Sequence, residues 1–346
     1  MKRRTLLQTS LGLGMLGALG VNAGFTVPSA SARQTASLTD LQWRTRPLLG
    51  LGTTLSLRVA HRDPALAERA LDAAVATIRH VEAQMSLFDP HSALSRLNRD
   101  GVLHDPHPDL LEILRIAQRV SARSQGAFDV TVQPLWSVFE TAQRNAALPS
   151  SAAVTQARER VGWQALDIAP RRIRFMKPGM ALTLNGIAQG YAADLVRRQL
   201  QASGIEHALI NTGEWAALGQ PEARRDWTLG IANPRDESML IASLLMDGRS
   251  IATSADNQTV FSSDYRNHHI FDPQTGYSPS ELASVTVAAA TAVMADALTK
   301  VMFVAGMQRA LSLARHRSAD VLLVDKSGQW RASAGLKLLA RAGVPK

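Results

Sequence analysis

The sequence contains no cysteine in 346 residues, and this absence excludes several kinds of chemistry at once. Disulfide bonds, thiolate catalysis, cysteine-ligated iron–sulfur clusters and a lipid-anchored cysteine all need that side chain. A protein without disulfides must be stabilised by its hydrophobic core, and a chain of this length can bury a large one.

Long uninterrupted hydrophobic runs are also missing. The apolar stretch over residues 6–21 is short and broken by glycines, so it does not predict a permanent membrane span. Lys2, Arg3 and Arg4 precede it, and the small-residue sequence 30–32 (ASA) follows it. This order predicts a signal peptide over residues 1–32, of the twin-arginine type or of the plain secretory type. We expect a periplasmic protein, exported by the twin-arginine route, that meets the membrane only transiently through this peptide.

No basic run is interleaved with aromatic side chains, so we expect no nucleic-acid partner. The formal net charge of +9 falls to +6 once Lys2, Arg3 and Arg4 leave with the signal peptide, because residues 1–32 contain no acids. A modest positive excess of this kind suits a phosphate-bearing ligand without requiring one.

Helical and strand patterns follow one another without a regular βαβ order and without an internal repeat. They predict one α+β domain over residues 46–346, with a mixed sheet and flanking helices, after a polar linker or edge segment over residues 33–45. Strand patterns occur at 53–59, 207–211, 227–232, 243–246, 250–253 and 285–289, with short strands within 164–184 and a hairpin across 320–331. Helical patterns occur at 64–84, 108–123, 151–161, 187–202, 293–305 and 307–317.

The segment 268–279 (HHIFDPQTGYSP) places several kinds of chemistry in one turn. Two histidines can titrate or hydrogen-bond near neutral pH, and the Asp-Pro and Thr-Gly pairs that follow predict a stiff, tight turn. A histidine held at a strand end in this way is suited to accept a proton from a substrate. A plain hairpin turn with one surface histidine explains the same residues.

The segment 185–191 (NGIAQGY) opens a helix after an apolar strand, with small residues at the turn. Backbone N–H groups at such a turn can approach a phosphate, and a helix N-terminus favours negative charge. The segment is neither a GxGxxG motif nor a P-loop, so an ordinary strand-to-helix turn is the alternative.

Asp296 lies in an otherwise apolar helical run, where an unpaired carboxylate would be costly to bury. Lys300 is four residues later on the same helix face, so an internal Asp–Lys ion pair is one explanation. The other is that Asp296 binds Mg²⁺, which prefers one or two carboxylates together with substrate phosphates. Phe88 and Phe128, each beside a turn, are similarly open to a core role or a ring-stacking role.

Taken in order, these motifs resemble the ApbE family, the FAD:protein FMN transferases. The matching segments are 51–54 (LGTT), 85–89 (MSLFD), 92–98 (SALSRLN), 126–129 (GAFD), 184–194 (LNGIAQGYAAD), 211–213 (NTG), 252–254 (ATS), 269–276 (HIFDPQTG) and 295–298 (ADAL). The resemblance implies a single α+β domain that binds FAD and Mg²⁺. It also implies transfer of the FMN half of FAD to a threonine or serine hydroxyl of an exported acceptor flavoprotein, in a respiratory or nitrous-oxide-reducing system, with release of AMP.

The same resemblance assigns roles to individual residues. His269 is expected to be the base that accepts the hydroxyl proton. Asp296 is expected to bind Mg²⁺ through its carboxylate, with the carbonyl of Gly186 and the hydroxyl of Thr299 as further ligands. The residues expected to contact FAD are Leu51, Phe88, Ala127, Phe128, Asp129, Thr183, Gln189, Ile270 and Lys300.

Three positions depart from the family pattern. Thr183 replaces an acid ahead of the glycine turn, and Gln189 replaces a lysine or a glutamate. Lys300 occupies the position of a metal-binding threonine, and a protonated lysine cannot ligate Mg²⁺. Lys300 then adds its own charge at the pyrophosphate, or Thr299 reaches the metal instead, or the cation is lost. Glu214 is a candidate for a replacement acid.

Two function classes therefore remain. The first is an exported FMN transferase, which His269 and its complete turn favour. The second is a periplasmic FAD-binding carrier or accessory protein, which Lys300 and Thr183 favour. An FAD pyrophosphatase is an intermediate case: it would still cleave FAD, but water would replace the protein hydroxyl.

Overall fold

A computed structural model describes residues 40–222 and 225–339 of the chain. The predicted signal peptide, the first part of the predicted linker (33–39) and the last residues (340–346) lie outside the described residues, so the predictions made for them stay predictions. No helix within the described ranges is long and apolar enough to cross a membrane.

The first described strand corrects the predicted linker. Strand β1 (Gln42–Gly50) pairs antiparallel with strand β2 (Thr53–His61), so residues 42–45 belong to the folded domain. Trp43 anchors this end of β1 because its ring lies edge-on to that of Trp227, 5.6 Å away. β1 is the outermost strand of its sheet, so the alternative of an edge segment holds for this part of the chain.

The remaining strands and the helices largely follow the predicted pattern. The strands are β3 (Val102–His104), β4 (Leu166–Ala169), β5 (Arg172–Phe175), β6 (His207–Asn211), β7 (Trp215–Leu218), β8 (Thr228–Asn233), β9 (Asp236–Leu245), β10 (Ser250–Ala255), β11 (Leu282–Ala289), β12 (Asp320–Asp325), β13 (Trp330–Ala332) and β14 (Leu338–Leu339). The helices are α1 (Pro64–Met85), α2 (Ala93–Asp100), α3 (Pro108–Arg123), α4 (Gln133–Arg144), α5 (Ser151–Glu159), α6 (Ala188–Ala202) and α7 (Ala292–His316). Helices α2 and α4 and strands β3, β7 and β14 are elements that the sequence patterns do not predict.

Eight strands form one sheet in the order β1-β2-β6-β7-β10-β11-β12-β13, and two three-stranded sheets have the orders β14-β9-β8 and β3-β5-β4. Every pairing among the described strands is antiparallel, which corrects the prediction of a mixed sheet. The predicted α+β class is confirmed, because helices and antiparallel strands form separate layers.

The large sheet is covered on both faces. Helices α1, α6 and α7 pack on one face, where Leu55, Leu57 and Val59 of β2 are fully buried among them. The sheet of β8, β9 and β14 packs on the other face, around Trp227 and Leu322. Every residue of β11 is buried because this central strand has a layer on each side, and its sequence is correspondingly apolar except for Ser284 and Thr286.

Helices α6 and α7 cross at very short range, and this crossing positions the candidate site. A Cβ atom at Gly190 would lie 2.3 Å from the Ala292 carbonyl oxygen, so only glycine allows the two backbones to approach so closely. Asp194 on α6 fixes the start of α7, because its two carboxylate oxygens each accept a 2.9 Å hydrogen bond, from Ala292 N and Val293 N.

Helix α7 bends at Gly306, where φ is +73°. The sequence predicts two helices here, at 293–305 and 307–317, and the structure joins them across this residue. The positive φ is accessible to glycine without strain, so the chain changes direction here and then continues as a helix.

Candidate active site

The first part of the site is the glycine turn that leads into α6. Gly190 N donates a 3.0 Å hydrogen bond to Asp296 Oδ2, so the first turn of α6 is tied directly to the α7 aspartate. Ile187, at the N-cap position of α6, provides no side-chain hydrogen bond to the helix start. The Asp296 carboxylate, which comes from α7, is therefore the side chain that caps the start of α6, and it offsets part of the positive end of the α6 dipole.

Asp296 is fully buried, and its other carboxylate oxygen is paired with Lys300. Lys300 Nζ lies 2.5 Å from Asp296 Oδ1 and 3.2 Å from the Asp296 carbonyl oxygen. The aliphatic part of Lys300 lies against Gly186, since a Cβ atom at Gly186 would be 3.0 Å from Lys300 Cε. The predicted intrahelical ion pair is thus present, and it lies directly at the glycine turn.

Thr299 is also fully buried, and its hydroxyl makes hydrogen bonds other than those expected of a metal ligand beside the Asp296 carboxylate. Thr299 Oγ1 donates a 2.6 Å hydrogen bond to the Asp296 carbonyl oxygen and shares a 2.7 Å hydrogen bond with Ser254 Oγ on β10. Neither of these bonds runs to the Asp296 carboxylate. The bond to Ser254 joins α7 to the large sheet, which is a structural function.

The donors around Asp296 do not fit Mg²⁺ while Lys300 is in this position. Mg²⁺ needs near-octahedral oxygen ligands at about 2.0–2.1 Å, whereas each Asp296 carboxylate oxygen already accepts from Lys300 Nζ or from Gly190 N. The ammonium is itself a cation and has no lone pair to offer a metal. Glu214, the candidate replacement acid, is buried and accepts a 3.0 Å hydrogen bond from Thr253 N on β10.

Leu51 and Gln189, both predicted to contact the cofactor, are brought together. Gln189 Nε2 donates to the Leu51 carbonyl oxygen at 3.1 Å, and the Gln189 carbonyl accepts from Thr212 Oγ1 at 2.8 Å. Gly213, with φ +99°, lies directly against the Gln189 side chain. The segments 51–54, 185–191 and 211–213 therefore form one connected wall of the site.

Phe88 lies at the rim of this wall and is 70% exposed, so the core alternative is wrong for this residue. Its ring is 3.9 Å from the position of a Cβ atom at Gly52, and Ser86 Oγ accepts a 3.1 Å hydrogen bond from Phe88 N. A large exposed ring held by a turn is suited to stack on a planar ligand.

The turn at 126–129 differs from the Phe88 turn because its aromatic ring is buried. Phe128 is only 5% exposed and packs in the main hydrophobic core, as its core alternative predicts, and Ala127 packs partly buried beside it. Asp129 accepts hydrogen bonds from Thr131 N and Oγ1 on one oxygen and from Trp163 N on the other. Its carboxylate therefore fixes the turn, and burial raises the pKa of this carboxyl despite those bonds.

The two adjacent histidines have different environments. His268 is fully buried: its Nδ1 accepts from Ile270 N and its Nε2 lies 3.2 Å from the Pro279 carbonyl oxygen. Burial, with the nearby Lys326 charge, lowers the pKa of His268 to about 4. His269 is only half-buried, and its backbone N–H donates to the Thr259 carbonyl oxygen at 3.0 Å. Of the pair, only His269 is accessible to a substrate.

Long-range hydrogen bonds attach the histidine turn to the rest of the site. Gln274 Nε2 donates to the Gln125 carbonyl oxygen at 3.1 Å, next to the 126–129 turn. Thr183 N donates to the Val130 carbonyl oxygen at 2.8 Å, which joins that turn to the glycine turn. Ile270 is 4% exposed and belongs to the core below, so its backbone is the part that is available to a ligand.

Several residues that organise this site were not predicted. Asp194 fixes the start of α7, and Asn98 makes two hydrogen bonds with the backbone of Leu182 just before the glycine turn. Asp256 is fully buried and is paired with Arg235 and Lys326 beside the histidine turn. Asn98 and Asp194 fall within segments that match the ApbE family, so the resemblance could have identified them. Asp256 lies outside these segments, and no sequence signal indicated it.

The fold and these contacts define a class of protein. An α+β domain carries a glycine turn at a helix start with an adjacent ammonium, an exposed aromatic ring and an accessible histidine, which together suit an enzyme acting on a phosphate-bearing aromatic compound. A profile of the ApbE family matches residues 51–323. The chain belongs to the ApbE family.

Individual relatives support this assignment. The chain is 30% identical over 259 residues to an FAD:protein FMN transferase of Salmonella typhimurium, covering 71% of this chain and 73% of the relative. It is 29% identical over 289 residues to one of Klebsiella pneumoniae, covering 80% and 87%. The crystal structure of the flavinyl transferase ApbE of Pseudomonas stutzeri is similar with a TM-score of 0.74 and 28% identity, covering 85% of this chain and 95% of that one.

Proposed function

We propose that this protein is an FAD:protein FMN transferase, which moves the FMN half of FAD to a threonine or serine hydroxyl of an acceptor flavoprotein and releases AMP. One observation carries the proposal. The Lys300 ammonium lies against the glycine turn that leads into α6, where a pyrophosphate would find a fixed positive charge. The names of the curated relatives supply the identity of the substrate.

In this proposal FAD lies across the connected loops. The exposed Phe88 ring stacks on an aromatic part of the ligand, and the 126–129 turn borders the flavin. Leu51, Gln189 and Thr183 present backbone and side-chain groups along the wall of the site, and the Ile270 backbone borders it near His269. Asp129 acts through the shape of its turn, because its carboxylate oxygens already accept hydrogen bonds from the protein.

The chemical step is a substitution at phosphorus. The acceptor hydroxyl oxygen bonds to the FMN phosphorus, the bond from that phosphorus to the bridging oxygen breaks, and AMP leaves with the bridging oxygen and its electron pair. His269 accepts the proton of the attacking hydroxyl. Lys300 donates one hydrogen bond to the pyrophosphate and offsets the charge that grows on the leaving group. Mg²⁺ is implied by the resemblance, but the donors at Asp296 do not fit it, and no step is assigned to it.

The cellular setting belongs to the same proposal. Residues 1–32 carry the pattern of a twin-arginine signal, which supports a periplasmic location and an exported acceptor. We place that acceptor in a respiratory or nitrous-oxide-reducing system, with membrane contact limited to the passage of the signal peptide.

The decisive experiment is to incubate the mature protein with FAD and an acceptor domain bearing a threonine or serine flavinylation site, and to measure the intact mass of the acceptor. A gain of one FMN supports the transferase. Release of FMN and AMP with an unmodified acceptor would indicate a pyrophosphatase. FAD retained without turnover, across several acceptors, would indicate a carrier and would refute the proposal.

His269→Ala tests the assignment of the base. We expect the transfer rate to fall by roughly 10²–10⁴-fold, the usual contribution of a general base, while the affinity for FAD is kept. Flavin fluorescence measures binding and acceptor mass measures transfer. His104→Ala, which changes an exposed histidine on β3, should leave both unchanged. A wild-type transfer rate in His269→Ala would remove this residue from the mechanism.

A further inference from the structure

We propose that the Lys300 ammonium takes the place of a divalent cation at the Asp296 carboxylate, so that this protein acts on the FAD pyrophosphate with no metal ion bound there. The inference rests on the proposed function for its substrate. It concerns a separate property, which is the source of positive charge at the glycine turn.

The Lys300 ammonium occupies the position beside Asp296 that a bound cation would take. Nζ contacts two oxygens of one residue, Asp296 Oδ1 at 2.5 Å and the Asp296 carbonyl at 3.2 Å. The second carboxylate oxygen is held by Gly190 N at 3.0 Å, so the carboxylate cannot turn to present a free oxygen without breaking that bond. A metal ion at Asp296 would have to displace the ammonium and leave the lysine charge without its partner.

Lys300 keeps one donor for a ligand. An ammonium group has three N–H bonds, and two of them are used by Asp296. Within the described residues the third N–H has no protein acceptor, and the Lys300 side chain is 19% exposed, so it reaches the surface of the site. Its stem lies against Gly186, where any larger side chain would collide with it.

The position of Lys300 is also fixed before a substrate binds. Asp296 and Lys300 are four residues apart on one helix, so the pair forms without ordering a second element of the fold. The start of α7 is fixed by Asp194, and the crossing with α6 is fixed by Gly190. A charge held in place before the substrate binds needs no reorganisation during the reaction, which is what electrostatic stabilisation of a leaving group requires.

The role of Lys300 in the step is electrostatic. As the bond from phosphorus to the bridging oxygen breaks, negative charge grows on the AMP phosphate, and the third N–H of Lys300 donates to it. The proton stays on the lysine, and the proton of the acceptor hydroxyl leaves through His269. The step therefore needs no further reactant.

The test compares the wild-type protein with Lys300→Thr, each dialysed against EDTA and assayed with and without millimolar Mg²⁺. We expect the wild-type rate of FMN transfer to be the same in EDTA and in Mg²⁺. Lys300→Thr should lose roughly 100-fold in EDTA, the usual cost of removing one such donor, and should recover most of that loss in Mg²⁺. Lys337→Thr, at an exposed lysine, is the matched control and should behave as wild type in both.

A second measurement does not depend on turnover. Mn²⁺ binding followed by electron paramagnetic resonance should show no site at Asp296 in the wild type and one new site in Lys300→Thr. Mg²⁺ should correspondingly raise the melting temperature of Lys300→Thr and leave that of the wild type unchanged. The wild-type arms of both experiments need no variant, so they decide the question even when Lys300→Thr does not fold.

The outcomes separate the two proposals. Wild-type transfer that stops in EDTA and returns with Mg²⁺, together with Mn²⁺ binding that Asp296→Asn abolishes, would overturn the role of Lys300 and leave the transferase intact. The expected Mn²⁺ and melting patterns without any transfer would refute the transferase and leave the replacement of the cation supported.

Discussion

Two fully buried aspartates, Asp296 and Asp256, satisfy their charges in opposite ways. Asp296 has one ion-pair partner on its own helix, Lys300, and its second oxygen accepts from a backbone N–H. Asp256 takes both of its partners from distant parts of the chain. Arg235 contacts it through both terminal nitrogens, at 2.6 and 2.8 Å, and Lys326 Nζ is 2.6 Å away.

The difference shows which of the two buried ion pairs can interact with a ligand. At Asp256, two cations surround one carboxylate, Lys326 also donates to the Tyr265 carbonyl, and the Arg235 guanidinium lies over the Tyr265 ring. That cluster ties together the turn between β8 and β9, the end of β10 and the loop after β12, and it has a structural role. At Asp296 the single cation keeps an N–H donor toward the glycine turn. Because Asp296 has one cationic partner fewer than Asp256, the Lys300 ammonium keeps an N–H that can donate to a substrate.

The largest effect is expected from the Asp256 cluster. Replacing both cations, as Arg235→Met with Lys326→Met, leaves a buried carboxylate without a partner and should cost about 4–5 kcal/mol of unfolding free energy. Chemical denaturation measures this loss. Arg171→Met, which removes an exposed ion pair with Asp105, should change the free energy by less than about 0.5 kcal/mol. A double variant as stable as the control would mean that the cluster does not stabilise the fold.

A smaller effect is expected from pH, through His268 beside that cluster. The pKa of His268 in the folded protein is about 4, below the unfolded value of 6.5, so between these values the unfolded state binds more protons. The stability present above pH 6.5 is therefore lost as the pH falls toward 4, by an amount on the order of 3 kcal/mol. Denaturation at several pH values should show a flatter profile for His268→Gln, which cannot ionise. Identical profiles would contradict the assignment.

The smallest effect on stability is expected at the other aspartate. Gly190→Ala places a methyl group against the Ala292 carbonyl and 2.8 Å from Asp296 Cβ, and should cost about 2 kcal/mol as the helices separate. Gly204→Ala, where no atom lies within 4 Å, should cost only about 1 kcal/mol through its positive φ. The transfer rate should fall much further in Gly190→Ala than in Gly204→Ala. Equal rates would show that this crossing does not position Asp296 and Lys300.

Much of the fold could be predicted from local patterns. The period of apolar residues located α1, α3 and α6, and alternation located β2 and β6. Helix α2 was missed because it is short and strongly polar, and β1 was missed in part because its polar start resembles a linker. The pairing of strands was predicted as mixed, because the direction of a strand depends on connections that periodicity does not report.

The candidate site likewise has features that the sequence determines and features that only the tertiary structure decides. The sequence by itself determined the family, the α+β class and the placement of Asp296 and Lys300 on one helix face, because residues four apart on a helix share a face whatever the rest of the chain does. Only the tertiary structure decided that Gly190 occupies the second oxygen of Asp296, that His268 is buried while His269 is accessible, and that Asp256 is enclosed by two cations. Each of these depends on contacts between residues far apart in the chain, and such contacts exist only once the layers have packed.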